Sequence, residues 1–339
     1  MRAPAKTKAG KSDAAAGRVL VVGGAGYVGS HTCLALHEAG LVPVAYDNLS
    51  SGHAAFVRWG ELERGDILDA ARLDDVLARH RPVAIIHFAA LSEVGRSVDE
   101  PLAFYRNNVA GTISLLEAAG RAGVGRIVFS STCATYGEPL HLPMREDHRR
   151  APVSPYGRSK AMVEEILVDA GAASGARSVA LRYFNAAGAD PEGRIGERHD
   201  PETHAVPLLI DAALGRRPAF RVFGTDYDTP DGTCVRDYVH VLDLGRAHVQ
   251  AVRYLMDGGE SAAFNLGTGT GTSVLELMRA VGRVSGRTVP SENAARRAGD
   301  PAILVADNAR ARERLGWQPT QAIDGIVESA WRWHSRRNA

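Results

Sequence analysis

The fold is decided by the stretch VLVVGGAGYVG at residues 19–29. Its four apolar residues end at Gly23, as in a buried parallel strand, and apolar residues recur near helical spacing from Val28 onward. Between the two elements, Gly23, Gly26 and Gly29 form a GxxGxxG pattern. Glycine there permits a tight turn, lets a pyrophosphate approach the backbone, and lets the helix pack closely on the strand. Because the positive end of the helix faces the phosphates, the pattern predicts a dinucleotide site.

The alternation of strands and helices continues to about residue 188. Strands are predicted at 41–46, 83–88, 126–130 and 179–184, with helices at 73–79, 109–122 and 156–173. Repeated units of this kind predict an α/β fold with a doubly wound parallel sheet and helices on both faces.

The rhythm breaks after residue 189, where further helices are predicted at 206–214, 242–256, 274–284 and 323–333. We therefore predict a flexible tail at 1–17, a dinucleotide-binding domain at 18–188, and a smaller mixed α/β substrate lobe at 189–339. Parts of 235–257 are expected to pack back on the first domain.

The ends of the next strands carry further candidates for cofactor contacts. Asp47 ends the second strand, where a carboxylate accepts hydrogen bonds from ribose hydroxyls and repels a 2′-phosphate, so NAD is favoured over NADP. Asp66 follows the third apolar segment and is a candidate partner of the adenine amino group. The small residues Ala89 and Ala90 follow Phe88 and leave room for a flat cofactor against the backbone.

A reactive constellation is expected at Tyr156 and Lys160, a YxxxK pair that opens a predicted helix. The spacing puts both side chains on one helix face. A free tyrosine is a poor base at neutral pH, but a nearby ammonium and a positive nicotinamide ring favour the phenolate. Ser130 and Thr132 end the preceding strand, where a hydroxyl can hydrogen bond the oxygen that loses its proton.

Composition excludes several classes of protein. The 339 residues carry 40 Lys plus Arg and 39 Asp plus Glu, and this net charge of +1 offers no footprint for nucleic acid. No apolar run is long enough to read as a membrane span, and residues 1–17 lack the apolar block of a signal peptide. The three cysteines are widely spaced and form no CxxC pair, so we expect no disulfide framework, no metal and a cytoplasmic location.

The chain resembles the extended short-chain dehydrogenases/reductases, and within them the UDP-sugar 4-epimerases, from about residue 18 to 333. The matching stretches are GGAGYVGSHT (23–32), YDNLS (46–50), HFAA (87–90), NNVAGT (107–112), SSTCATYGEP (130–139), SPYGRSK (154–160), LRYFNAAGADP (181–191), DGTCVRDYVHV (231–241) and RRAGDPA (296–302). The resemblance implies a Rossmann-type sheet for the first domain.

The resemblance also assigns roles by position. It implies Tyr156, Lys160 and Thr132 as the catalytic group. Including the residues argued above, the cofactor contacts are Gly23, Gly26, Tyr27, Val28, Gly29, Asp47, Asn48, Asp66, Ile67, Phe88, Ala89, Ala90, Asn107, Ser130, Tyr156, Lys160 and Tyr183. The substrate contacts are Thr132, Tyr156, Asn185, His204, Arg236, Arg297, Asp300 and Leu304. Arg236 and Arg297 would clamp the diphosphate, because a planar guanidinium suits phosphate oxygens, and Leu304 would stand at the wall of the sugar pocket.

The implied activity interconverts UDP-galactose and UDP-glucose through a transient 4-keto intermediate, with tightly bound NAD. The alternatives are 4-epimerases of UDP-xylose and UDP-arabinose or of UDP-N-acetylglucosamine. A nucleotide-sugar 4,6-dehydratase is disfavoured, because Cys133 and Ala134 rather than carboxylates follow Thr132. A catalytically silent NAD-binding sensor is disfavoured by the intact reactive constellation. Relatives are commonly homodimers formed through helices near 105–121 and 156–173, which implies a homodimer here.

Overall fold

A computed structural model describes residues 17–297 and 299–336, so all but the last residue of the predicted tail lies outside the described residues. The strands are β1 (Arg18–Val22), β2 (Val42–Asp47), β3 (Glu61–Arg64), β4 (Ala84–His87), β5 (Arg126–Thr132), β6 (Arg177–Tyr183), β7 (Asn185–Ala187), β8 (Phe220–Phe223), β9 (Val235–Arg236), β10 (Tyr238–His240), β11 (Ala262–Leu266), β12 (Thr272–Ser273), β13 (Ser291–Ala294) and β14 (Ile303–Leu304).

The helices follow the same order along the chain. They are α1 (Tyr27–Glu38), α2 (Ala70–His80), α3 (Val94–Asp99), α4 (Pro101–Phe104), α5 (Gly111–Arg121), α6 (Pro155–Ser174), α7 (Ala205–Ala213), α8 (Val241–Met256), α9 (Val274–Ser285), α10 (Ala309–Leu315) and α11 (Ile323–Arg336). A π-helical turn at Tyr105–Ala110 joins α4 to α5.

A seven-stranded parallel sheet forms the centre of the fold, in the order β11-β6-β5-β4-β1-β2-β3. Its β1 lies between β2 and β4, where the strand order reverses, and this is where doubly wound sheets bind ligands. The predicted Rossmann-type α/β fold is confirmed.

Both faces of the sheet are buried, as a parallel sheet requires. Alternate residues of β1 point to opposite faces: Val19 and Val21 belong to the core that includes α1 and α8, whereas Leu20 and Val22 belong to the core that includes α2 and α5. The side chains of β1 from Val19 to Val22 are fully buried. The apolar run therefore marks a strand covered on both sides.

Two strands of this sheet were not predicted. The segment before Asp66 was expected to be apolar, but β3 (Glu61–Arg64) contains a single apolar residue, Leu62. A polar strand is tolerated there because β3 lies at the sheet edge and its buried Glu63 is neutralised by Arg72 and Arg79. β11 comes from the chain after residue 189 and pairs with β6 at the opposite edge, while α8 packs on α1. The boundary predicted near 188 stays a prediction.

The remaining strands form three small sheets, with the orders β10-β7, β12-β9-β14 and β13-β8. A separate apolar core joins α7, α9 and α11 to these strands. Among residues 17–297 and 299–336, no helix combines the length and the apolar character needed to cross a membrane.

Candidate active site

The glycine turn has the geometry that a dinucleotide site needs. Gly23 has φ +85°, and a Cβ there would lie 2.6 Å from the Ala89 nitrogen; a Cβ on Gly29 would lie 2.1 Å from the Gly23 carbonyl oxygen. Gly26 is less crowded, because a Cβ added there would contact only the Gly23 oxygen, at 3.4 Å. No side chain caps the first turn of α1. The turn is thus tightly packed at Gly23 and Gly29 and open at Gly26, where the uncapped N–H groups of α1 can bind an anion.

Neighbouring residues fix this turn from two sides. The Tyr27 hydroxyl donates a hydrogen bond of 2.6 Å to the carbonyl of Gly188, which follows β7. Phe88 and Ala89 donate their N–H groups to the Val22 carbonyl, at 2.7 and 3.0 Å. Ala90 follows these two residues in the loop after β4. Val28 lies in the first turn of α1.

Asp47 lies at the end of β2, beside the turn. Its carboxylate accepts hydrogen bonds from the N–H groups of Ala25 at 2.9 Å and Leu49 at 2.8 Å. Burial raises the pKa of Asp47, and these two N–H groups oppose the rise. Since a carboxylate oxygen has a second lone pair, each oxygen keeps acceptor capacity for a ribose hydroxyl.

Asp66 and Ile67, two further predicted cofactor contacts, follow β3, the strand that pairs with β2. Asn48 donates from its amide to the Asp66 carboxylate at 2.8 Å, and Asp66 also accepts from the N–H of Leu68 at 2.9 Å. Ile67 is buried, and its side chain packs under Gly111 at the start of α5. Asp66 is therefore held in place by its own loop.

The reactive side chains meet at the carboxyl end of β5, opposite the start of α6. Ser154 caps α6 by accepting from the Gly157 N–H at 3.1 Å, which sets the position of the YxxxK pair. The Lys160 ammonium donates to the Ser130 carbonyl at 2.8 Å and lies 6.0 Å from the centre of the Tyr156 ring. The structure brings these predicted residues together.

Three further hydroxyl side chains lie beside this pair. The Ser130 and Tyr183 oxygens lie 2.6 Å apart, at the ends of the paired strands β5 and β6. Thr132 hydrogen bonds the Tyr156 hydroxyl. Asn107 lies in the π-helical turn that packs against α6, and it donates its amide to Asn108 at 2.9 Å. π-Helical turns are frequent at functional sites.

The electrostatics differ from the sequence expectation in one respect. Burial raises the pKa of Tyr156 well above its ordinary value, and the hydrogen bond from Thr132 only partly opposes this rise. Burial also lowers the pKa of Lys160 to about 7. Lys160 therefore does not by itself supply the expected stabilisation of the phenolate, because desolvation disfavours both charged forms.

Three predicted substrate residues form a second group at the small sheet β12-β9-β14: Arg236 and Leu304 lie on its strands, and Asp300 precedes β14. Arg236 forms an ion pair with Asp300 and donates to the Val235 carbonyl at 2.8 Å. Leu304 pairs in register with Arg236 across β9 and β14, and it packs against the cluster that contains Phe184. This ion pair joins two residues that the resemblance assigns to one ligand.

The other predicted substrate residues lie on separate elements. The guanidinium of Arg297 lies 4.0 Å from the centre of the Phe223 ring. Asn185 begins β7, and its N–H donates to the Asp237 carbonyl at 2.9 Å. His204 precedes α7, where its Nδ1 lies 3.0 Å from a Glu202 carboxylate oxygen and 2.9 Å from a Glu197 carboxylate oxygen.

Sequence reasoning missed the acidic partners of His204. They belong to the spacing ExHxxExH at 197–204, a local pattern of ligand-type residues that a search for metal-binding spacings could have found. It also missed Asn108, which accepts from the Leu91 N–H at 2.8 Å and donates to the Ser159 hydroxyl at 3.0 Å. Such a buried amide has no sequence signal.

Comparisons with known proteins agree with this geometry. The model of the NAD dependent epimerase/dehydratase family matches residues 19–267. A UDP-glucose 4-epimerase of Rhizobium meliloti (strain 1021) is 64% identical over 320 residues, which cover 94% of this chain and 98% of that protein.

Two solved structures are also similar. A UDP-glucose 4-epimerase from Brucella ovis in complex with NAD has a TM-score of 0.92 and 52% identity, over 94% of this chain and 99% of that one. The enzyme from Bifidobacterium longum in complex with NAD+ and UDP has a TM-score of 0.89 and 36% identity, over 95% and 99%.

Proposed function

The chain belongs to the NAD dependent epimerase/dehydratase family, and from that premise we propose that it is a UDP-glucose 4-epimerase that interconverts UDP-galactose and UDP-glucose. NAD is its cofactor. One observation carries the reaction: Tyr156, Thr132 and Lys160 meet at the end of β5, on the same sheet edge as the glycine turn after β1.

The residues of the turn fit a dinucleotide. The open side of Gly26 and the uncapped N–H groups of α1 would hold the pyrophosphate, and Asp47 the adenosine ribose. When bound, NAD supplies a hydride acceptor and a positive charge beside the Tyr156 ring. Asn107 and Lys160 would hold the nicotinamide half, with Tyr183 and Ser130 closing the pocket.

As the phenolate, Tyr156 would accept the proton of the C4 hydroxyl while the C4 hydrogen leaves as hydride, for which NAD would be the acceptor. Tyr156 would give the proton back when the hydride returns to C4. Thr132 hydrogen bonds the Tyr156 hydroxyl and so holds it towards the reacting oxygen. A positive nicotinamide ring would favour the Tyr156 phenolate directly, and Lys160 would add to this effect in its ammonium form. The sugar ring must turn between the two transfers, so that opposite faces of the C4 carbonyl would meet the same hydride carrier.

The diphosphate would be anchored by Arg236 and Arg297, and the uridine side by Asp300. Asn185 would lie where the nicotinamide and the sugar nucleotide meet. The two hydrogen bonds that Arg236 makes leave other guanidinium N–H groups for phosphate oxygens. His204 precedes α7 and would contact the substrate from that side. Tight anchoring of UDP leaves the sugar free to turn.

The sugar pocket leaves two alternatives open. Leu304 is a medium-sized wall residue beside Arg236, so N-acetylated hexoses and pentoses are candidate substrates as well as plain hexoses. A 4,6-dehydratase stays disfavoured, because Cys133 and Ala134 follow Thr132 where acidic groups would be needed.

A direct assay tests the proposal. Purified protein is incubated separately with UDP-galactose, UDP-xylose and UDP-N-acetylglucosamine, without added cofactor, and each product is examined for the C4 epimer. We expect the epimer of UDP-galactose to form fastest. A 4-keto-6-deoxy product would indicate a 4,6-dehydratase. No turnover of any of the three sugars would indicate a catalytically silent NAD-binding sensor.

The organisation of the protein is part of the proposal. Residues 18–188 would bind NAD and residues 189–339 the sugar nucleotide, with α8 and β11 packed on the first part. The three cysteines are free and two of them are buried, which suits the reducing cytoplasm.

We also propose a homodimer. The helices α4, α5 and α6 expose large apolar side chains: Leu102 is 76% exposed, Ile113 41%, Met162 42% and Val168 64%. Because α6 packs against α4 and α5, these side chains belong to neighbouring helices that a second copy could cover.

A further inference from the structure

The loop between β7 and α7 contains a cluster of metal-ligating side chains that the proposed reaction does not use as a unit. Glu197, His199, Glu202 and His204 each offer one nitrogen or oxygen atom, and these four atoms all lie within 4.8 Å of one another. The residues come from a single stretch of eight, so the loop folds back on itself to bring them together.

The side chains converge on one point. The Nδ1 atoms of His199 and His204 lie 3.4 and 2.9 Å from the same carboxylate oxygen of Glu197. They also lie 3.7 and 3.0 Å from the two oxygens of Glu202. Tetrahedral ligands at Zn–N and Zn–O distances of about 2.0–2.2 Å would be about 3.3–3.5 Å apart. The observed separations bracket this spacing.

The cluster also contains unsatisfied polar atoms. Glu197 is 2% exposed. Its Oε1, the Nδ1 of His199 and the Oε2 of Glu202 are buried and make no hydrogen bond of good geometry. An unpaired buried polar group is costly, and a metal ion at their centre would satisfy all three at once.

A second cluster of ligand-type residues in the described chain differs from this one in its ion-pair partners. Glu61, Glu63 and His80 also lie together, but Glu63 is bound by the guanidinium groups of Arg72 and Arg79. Those cations already neutralise the carboxylate and fill its acceptor positions. In the described residues, the ion-pair partners of Glu197 are the two histidines, which are themselves metal ligands.

We propose that Glu197, His199, Glu202 and His204 form a binding site for a divalent transition metal of the Zn²⁺ type. Two imidazoles and two carboxylates suit zinc and its neighbours rather than Mg²⁺ or Ca²⁺, which prefer oxygen ligands alone. Four protein ligands make a closed site, which is typical of structural rather than catalytic zinc. The sequence expectation of no metal is replaced by this inference.

The position of the site indicates its role. The ring of His199 lies edge-on to Tyr27, with centroids 6.2 Å apart, and Tyr27 belongs to the glycine turn. His204 is the residue before α7. A metal bound here would hold the loop from β7 to α7 against the glycine turn. It would therefore stabilise this region against unfolding.

Metal binding to the full-length protein tests the proposal. The purified protein is treated with a chelator, dialysed, and titrated with Zn²⁺ against a chromophoric competitor; Co²⁺ is then added as a spectroscopic probe. We expect one Zn²⁺ per chain and the intense visible bands of tetrahedral Co²⁺. His199→Gln and Glu202→Gln should each weaken Zn²⁺ binding by at least about tenfold. His37→Gln, an exposed histidine on α1, is the matched control and should bind as the wild type does.

Two results would overturn the proposal. One is stripped wild-type protein that binds no Zn²⁺, in which case the cluster is a set of histidine–carboxylate ion pairs. The other is unchanged binding by both variants. Thermal unfolding with and without Zn²⁺ distinguishes lost ligands from lost folding: a folded variant whose unfolding temperature no longer responds to Zn²⁺ supports the site.

Discussion

At the scale of single residues, the reaction depends on whether the Tyr156 hydroxyl can give up its proton. Tyr156→Phe keeps the ring and removes the base, so we expect NAD and UDP binding to persist while turnover falls about 10²- to 10⁴-fold. Epimerisation rate and bound cofactor are measured on the same preparation. Turnover near that of the wild type would mean that the base is elsewhere, with Thr132 acting through a water as the next candidate.

Lys160 gives a prediction about pH. Burial lowers its pKa from 10.5 to about 7, so from pH 7 to 10 the unfolded chain binds more protons than the folded chain. Stability from this group is therefore lowest below pH 7 and rises with pH across that window. Lys160→Met should flatten this rise in the NAD-free protein, as measured by urea unfolding at pH 7 and 9.

Lys160→Met removes the only lysine after Lys11, so the change in pH slope can be assigned to this one amine. Equal pH slopes for the two proteins would contradict the lowered pKa of Lys160 in the folded chain. In the NAD-bound enzyme, Lys160→Met should also lower activity and raise the pH at which the remaining activity appears, and combining it with Tyr156→Phe should cost far less than the sum of the two effects.

Asp47 gives a prediction about the choice of cofactor. A carboxylate beside a 2′-phosphate is repulsive, so the purified protein should carry NAD and not NADP. Asp47→Ala should weaken NAD retention and narrow the ratio of NAD to NADP affinity. The ratio is the informative measurement, since loss of the hydrogen bonds to Ala25 and Leu49 would weaken both cofactors alike. NADP as the bound species in the wild type would refute the assignment.

At the scale of elements, the pairing of β9 with β14 gives a prediction about the proposed sugar pocket. Leu304 and Arg236 are paired in register, so bulk added at Leu304 lies at a fixed position relative to the anchored nucleotide. Leu304→Tyr should reduce turnover of N-acetylated sugars more than turnover of plain hexoses. Ile303→Tyr, on the opposite face of the strand, is the matched control and should leave that ratio unchanged. Equal losses for both sugars in Leu304→Tyr would show that Leu304 does not line the acetyl side.

At the scale of the whole molecule, the apolar face of α4, α5 and α6 predicts the assembly. Glutamate in place of Leu102 or Val168 would put a charge into the interface, so the double variant should be a monomer by light scattering where the wild type is a dimer. Met256→Glu, at an apolar side chain of α8 that is 41% exposed, is the control. A wild-type protein that is monomeric at micromolar concentration would remove this interface from the proposal.

The sequence alone determined the parts of the fold that are encoded locally. The apolar run of β1, the glycine turn and α1 follow one another within 22 residues, from Arg18 to Tyr27 and on to Ala39, and each is set by its own residues. The YxxxK spacing puts Tyr156 and Lys160 on one face of α6 whatever the rest of the chain does. The strand-end positions of Asp47 and Thr132 follow from the same local periodicity.

Tertiary structure decided what depends on partners distant in the chain. The polar β3 is a strand because it pairs with β2, and β11 joins the sheet because it pairs with β6. The pKa of Lys160 depends on burial against β5, and the Arg236–Asp300 ion pair joins residues 64 positions apart. Periodicity carries no information about such encounters, since they are selected by packing and desolvation of the folded chain as a whole.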